Sequence, residues 1–202
     1  MKQDIKRDVA SMNQIIWNED NALWYAEEYG DHISNNITVN NIKLYPNDIL
    51  LDIGCGIGTA AKIASKICPQ GKVYGIDPTQ TMINIALKDL LQPSNIEFII
   101  GSAENIPLTD KSVTKVIAIN SIHHWNDYNK GLLEVKRVLK SQGEFFISSD
   151  IVNNKDCGHG IGPLQTNKSL MKELKSRGFI DITLVDHTLK DEGIHLIQCK
   201  KI

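Results

Sequence analysis

The sequence predicts an α/β fold, and three observations carry that prediction. Ile49–Ile53 is a short apolar run that breaks into glycines at positions 54, 56 and 58 and passes into Thr59-Ala60-Ala61-Lys62-Ile63-Ala64, which has helical composition and spacing. This is a strand, a tight turn and a helix. Further short apolar runs follow at 72–77, 96–100, 114–120 and 144–149, mostly with helical patterns between them, and strands alternating with helices define the α/β class. Finally, 202 residues with 42% hydrophobic content suffice for one sizeable core and are too few for two ordinary domains.

The glycine turn organises the rest. Gly54, Gly56 and Gly58 lack the Cβ atoms that would hold a ligand off the backbone, and they permit positive φ. A small molecule can lie against the main chain there, facing the N–H groups and dipole of the following helix. The bland alternative is a turn that only lets a helix pack on a strand. The dinucleotide-binding fingerprint needs its third glycine three positions after the second, where this chain has Thr59. Asp52, two positions ahead of Gly54-Cys55-Gly56-Ile57-Gly58, instead closely resembles the acid and G-x-G-x-G turn of class I S-adenosylmethionine-dependent methyltransferases, of the small-molecule, methyltransferase-11-like kind.

Composition narrows the function classes. A net charge of -2 and only three arginines, Arg7, Arg137 and Arg177, give no nucleic-acid footprint. The four cysteines, Cys55, Cys68, Cys157 and Cys199, form no C-x-x-C pair, which argues against a disulfide framework or a cysteine-rich zinc site and for a reducing, cytoplasmic setting. No secretory signal and no run of membrane-spanning length is present, so a soluble protein is expected.

Before the first strand, Ile5, Val9, Met12 and Ile16 recur at helical spacing, in a helix or a disordered tail. A second helical pattern runs from Asp20 through Trp24, Tyr25 and Tyr29 to a stop at Gly30, and a third starts near Asp31. The aromatic cluster of Trp17, Trp24, Tyr25 and Tyr29 is either ordinary packing or the wall of a lid. In the resembled family such helices close over the cofactor, so residues 1–45 are read as a helical lid region on a core of 46–202, all in one domain.

After the glycine turn, the helix should end near Cys68-Pro69. The strand 72–77 ends on Asp77, where a doubly wound sheet delivers an acid to ribose hydroxyls, although an Asp at this place also caps helices. Asp77-Pro78-Thr79 with Met82 and Ala86 resembles the family's opening of its second helix. Gly101-Ser102-Ala103-Glu104 resembles its adenine-side loop, with Ser102 where the family has an acid. A hydroxyl still accepts a hydrogen bond from an amine, but not a charge-assisted one, so weaker adenine recognition is expected.

The strand 114–120 runs into Ser121-Ile122-His123-His124-Trp125. His123 and His124 are the candidate general bases because imidazole titrates near neutrality. The alternative is that they only shape the cofactor wall. Trp125, with Trp24 and Tyr29, is read as substrate pocket. A helix over 128–139, whose Glu134–Gly143 run again resembles the family, leads into the fifth strand. An Asn- and Gly-rich loop with Cys157 and His159 follows, lacking partner ligands at recognisable spacing, so no metal is expected. The chain closes with a helix over 169–177 and strands near 180–186 and 195–200.

The resemblance implies a doubly wound, Rossmann-like, seven-stranded, mostly parallel sheet with an antiparallel C-terminal strand and helices on both faces. It also implies S-adenosyl-L-methionine as cofactor and in-line methyl transfer to an unidentified, small-molecule acceptor. The implied cofactor set is Asp52, Gly54, Cys55, Gly56 and Gly58 at the turn, Asp77, Pro78 and Met82 on the ribose side, Ser102, Ala103 and Glu104 at adenine, and Asn120 through its backbone. Two alternatives stay open: a non-catalytic cofactor-binding module acting through a protein partner, and a nicotinamide oxidoreductase. Neither a nucleic acid nor a membrane is expected as partner.

Overall fold

The computed structural model describes residues 17–88, 90, 95–151, 166–189 and 192–202. The segment read as an amphipathic helix or tail before residue 17, and Cys157 with His159, lie outside them. Two helices, α1 (Glu19–Tyr29) and α2 (Ile33–Asn41), precede β1 (Ile49–Ile53). Then come α3 (Thr59–Ile67), β2 (Lys72–Asp77), α4 (Gln80–Lys88), β3 (Ile96–Ile100) and β4 (Val113–Ile119). A single 3-10 turn (Ile122–His124) leads to α5 (Tyr128–Val138), β5 (Leu139–Asp150), α6 (Asn167–Ser176), β6 (Phe179–Leu189) and β7 (Glu192–Lys201).

The seven strands form one sheet in the order β3-β2-β1-β4-β5-β7-β6. The first five are parallel, and β7 runs antiparallel to both β5 and β6. This is the fold class expected. Chain order reverses between β1 and β4, and the crevice beyond the carboxyl ends of those strands is where such sheets bind ligands.

Both faces of the sheet are covered, which explains the continuous apolar runs of the central strands. Leu132, Val135 and Val138 of α5 and Leu170 and Leu174 of α6 pack on one face with Val116, Phe145 and Ile147. On the other face Ile37 and Val39 of α2, Ala60, Ala61 and Ala64 of α3, and Ile83 and Ala86 of α4 pack with Leu50, Val73 and Ile117. The alanine stripe of α3 lets that helix approach closely, and α1 reaches across to α4.

Local chemistry sets the element ends. Asn18 caps α1, its side chain accepting from the Asn21 N–H. Gly30 does end that helix, but with right-handed φ of -57°; a Cβ there would fall 2.4 Å from the Ile57 side chain, so glycine serves close approach and not a left-handed cap. α6 starts at Asn167, two residues ahead of expectation, because Thr166 and Ser169 form a reciprocal capping box. The turn expected at 140–143 lies inside β5 as an excursion between the Val113–Leu139 and Lys115–Glu144 pairs, with Gln142 at φ 63°. β6 and β7 each extend beyond the predicted strands.

Candidate functional site

Two adjoining cavities, of about 100 and 310 Å³, open at the carboxyl ends of β1, β2 and β4 and under α1. The smaller is lined by Asp77, Pro78, Thr79 and Met82 from the β2–α4 junction, by Gly101 to Glu104 after β3, and by Trp125. The larger is lined by Trp24, Tyr29, His32 and Asn35 above, and by Cys55, His123, Ser149 and Asp150 below. Gly54, Gly56, Met82, Ile119, Asn120, His124, Trp17 and Tyr25 border both.

The glycines divide their tasks. All three have positive φ, of 72°, 53° and 80° for Gly54, Gly56 and Gly58. A Cβ on Gly54 would stand 2.6 Å from the Ser121 Cβ, and one on Gly58 only 2.2 Å from the Phe98 ring. A Cβ on Gly56 would meet nothing within 4 Å. Gly56 therefore gives the cavity open backbone, whereas Gly58 lines neither cavity and lets α3 settle on the sheet.

Asp52 does not face the cavity. It is 2% exposed, takes the Ala61 N–H in the first turn of α3, and leaves its Oδ2 with no hydrogen-bond partner among the described residues. Gly58 offers no side chain to cap α3, so the strand supplies the cap. Burial, followed by the charge of Asp77, pushes the Asp52 carboxyl up to about 7.

Asp77 joins the two halves of the turn. Its Oδ2 accepts from the Gly56 N–H at 3.1 Å and its Oδ1 from the Thr79 N–H at 2.9 Å. Burial raises its carboxyl, against the pull of these donors. The Thr79 hydroxyl also donates to this carboxylate, which keeps lone-pair capacity for a further donor such as a ligand hydroxyl.

The loop after β3 is fixed from behind. Arg137 donates to the Leu108 carbonyl at 2.7 Å and to the Ile106 carbonyl at 2.9 Å, while its Nε donates to Glu134 at 2.7 Å. Glu134 accepts from the Ile106 N–H at 3.0 Å, and its pairing with Arg137 holds its carboxyl below the usual range. Glu104 takes the Asp127 N–H at 3.2 Å. Ser102 and Ala103 thus reach the cavity on a loop pinned to α5.

Asn120 closes the opposite wall. It has φ of 47°, unusual for a side-chain-bearing residue, and its side chain donates to Ser34 Oγ and accepts from the Asp150 N–H, each at 3.1 Å. Its backbone N–H goes to Ser148 O at 2.9 Å, leaving the carbonyl side as the part of its backbone suited to a ligand amine. The rings of His123 and His124 lie 4.0 Å apart, and His124 meets Trp17 edge-on at 5.7 Å. Trp125, read from sequence as substrate pocket, lines the smaller cavity and not the larger one beside Trp24 and Tyr29, and it packs in the core against Gly131.

The structure thus brings most of the site residues read from sequence to one crevice, leaving Asp52 and Gly58 behind it. The sequence reading missed Thr79 and Ser121 as wall residues, Arg137 as the anchor of the loop, and Asp150 with His32. Acidic Asp150 at the carboxyl end of a central strand was the signal for the last pair. Among the described residues no cluster of His, Cys, Asp and Glu could hold a metal ion.

A family model described as a methyltransferase domain matches residues 51–147. The uncharacterized methyltransferase YdaC of Bacillus subtilis (strain 168) is 28% identical over 163 residues, covering 78% of this chain and 86% of the relative. The demethylmenaquinone methyltransferase of Thermotoga maritima is 32% identical over 98 residues, 48% of this chain and 42% of the relative. A solved SAM-dependent methyltransferase from Aquifex aeolicus shares the fold with a TM-score of 0.74 and 20% identity, over 92% of this chain and all of that one.

Proposed function

Because the chain belongs to the class I S-adenosylmethionine-dependent methyltransferases, we propose that its two cavities divide the reaction, the smaller seating the nucleoside of the cofactor and the larger a small-molecule acceptor. The observation that carries this reading is the Asp77 carboxylate, held by Thr79 and by Gly56, the glycine of the turn whose missing Cβ faces open space. The cofactor supplies a methyl group on a sulfonium that is already a good leaving group. The protein therefore mainly has to align the acceptor and exclude water.

In this reading Asp77 takes the ribose hydroxyls, Ser102 and Ala103 border the adenine, and the Gly54–Gly56 backbone with the Asn120 carbonyl holds the methionine end. Trp17, Tyr25 and Tyr29 follow one another over the opening, Trp17 edge-on to Tyr25 with ring centroids 4.5 Å apart and Tyr25 tilted against Tyr29 at 5.1 Å, and act as a lid within a single domain. His124 borders both cavities and is the better placed of the two histidines to take a proton from the acceptor. The demethylmenaquinone methyltransferases among the relatives favour a small-molecule acceptor. A cytoplasmic location agrees with the free, buried thiols of Cys55, Cys68 and Cys199, and no described helix is long and apolar enough to cross a membrane.

The test is acceptor-dependent formation of S-adenosylhomocysteine, followed by mass spectrometry over pooled small molecules. Turnover that falls at least about tenfold in His124→Ala, with product affinity kept, agrees with a base at that position. Failure of every pool, in a protein that binds the cofactor, would favour the non-catalytic module instead.

A further inference from the structure

Asp150 is the one aspartate or glutamate among the described residues lining the larger cavity. Its Oδ1 is shut off from solvent without a hydrogen-bond partner among the described residues. Its Oδ2 lies 3.7 Å from His32 Nδ1, too far for a hydrogen bond. On the other side of that imidazole, Glu192 Oε2 stands 3.5 Å from Nε2. Two carboxylates thus face one histidine, and even a protonated His32 leaves the rim net negative. No lysine or arginine occurs among the described residues that line either cavity. The remaining wall is aromatic: Tyr29 lies 5.7 Å from Trp24 and 5.1 Å from Tyr25, with His32 6.4 Å from Tyr29 on the side toward Asp150. Ring faces attract cations, and an under-donated carboxylate gains most from an ammonium group. The Asp150 charge also reaches into this aromatic group: together with burial, the larger cause, it helps push the Tyr25 hydroxyl up to about 12.

We propose that the larger cavity selects acceptors that carry a cationic amine, with the ammonium group set between Asp150 and the Tyr25, Tyr29 and Trp24 rings, and rejects carboxylates and phosphates. The proposal rests on the assignment of this cavity to the acceptor. It concerns recognition and leaves open which atom of the acceptor is methylated.

The test compares matched sets on protein saturated with S-adenosylhomocysteine: 2-phenylethylamine, 2-phenylethanol and phenylacetate, and butylamine, butanol and butyrate, each followed by calorimetry or saturation-transfer NMR. The amine of at least one set is expected to bind at least about tenfold more tightly than its alcohol, and the acid not detectably. Asp150→Asn should erase that preference while affinity for S-adenosylhomocysteine stays unchanged. Asn35→Lys, which adds a cation to the same wall without touching Asp150, should turn the preference toward the acid. No amine preference in either set, including no binding at all, overturns the proposal. So does Asp150→Asn that weakens S-adenosylhomocysteine itself about tenfold, since the carboxylate would then serve the amino group of the cofactor. Failure of the unmodified protein to bind S-adenosylhomocysteine would instead refute the cofactor reading beneath it.

Discussion

The Gly56 N–H donates to Asp77 Oδ2 at 3.1 Å, so the turn after β1 and the end of β2 are one unit before any ligand arrives. The bond places a carboxylate beside open backbone, and it lets changes on one strand be read in the other.

Gly56 and Gly58 should respond differently to alanine. At Gly58 the methyl would overlap the Phe98 ring at 2.2 Å and force a side-chain-bearing residue to φ 80°. A loss of about 3 kcal/mol is expected from strain and overpacking together. At Gly56 the space is open, so Gly56→Ala should cost only about 1 kcal/mol yet weaken S-adenosylhomocysteine about tenfold or more. Urea unfolding with calorimetric titration separates the two effects.

Asp52 predicts a pH dependence of stability. Its folded-state carboxyl titrates at about 7, above the ordinary carboxylate value of 3.8. A raised value means that the folded state holds the proton more tightly, so this contribution is complete below the ordinary value and is lost as pH rises toward 7. Between pH 5.5 and 8.5 the native protein should lose about 2 kcal/mol relative to Asp52→Asn, most of it below pH 7. Urea midpoints for both proteins at the two pH values check this, and a constant difference would contradict it.

Arg137 should matter to the cavity without touching it. A lysine cannot reproduce the fork that holds Ile106 O, Leu108 O and Glu134 together. Arg137→Lys should cost about 2 kcal/mol and speed amide exchange over 101–108 more than elsewhere. Affinity for S-adenosylhomocysteine should fall severalfold.

Much of this was legible in the sequence because the central strands are buried on both faces and punctuated by glycine, proline or an acid. The strands Ile49–Ile53, Lys72–Asp77 and Ile96–Ile100 coincide with the runs read from residues alone. The edge pair was less legible. β6 is exposed along most of its length, with Leu184, Val185 and Leu189 each 39 to 49% exposed, so no alternating pattern marked its ends. In the site, residues announced by backbone chemistry, such as Gly56 and Asp77, could be read directly. Those defined by contacts across the sequence could not: Arg137 acts on a loop some 30 positions earlier, and Asp150 meets His32 from 118 positions away. Among the three glycines, spacing gave no means of telling Gly54 and Gly56, which line the cavities, from Gly58, which only permits packing.

The most direct test of the account is calorimetric titration of S-adenosylhomocysteine into the native protein and Asp77→Ala. Native protein should bind with micromolar affinity. The variant should lose about 100-fold, the equivalent of roughly 3 kcal/mol from hydrogen bonds between ribose hydroxyls and a buried carboxylate. An absence of binding to the native protein, or equal affinity in a folded variant, would contradict the placement of the cofactor on Asp77 and Gly56.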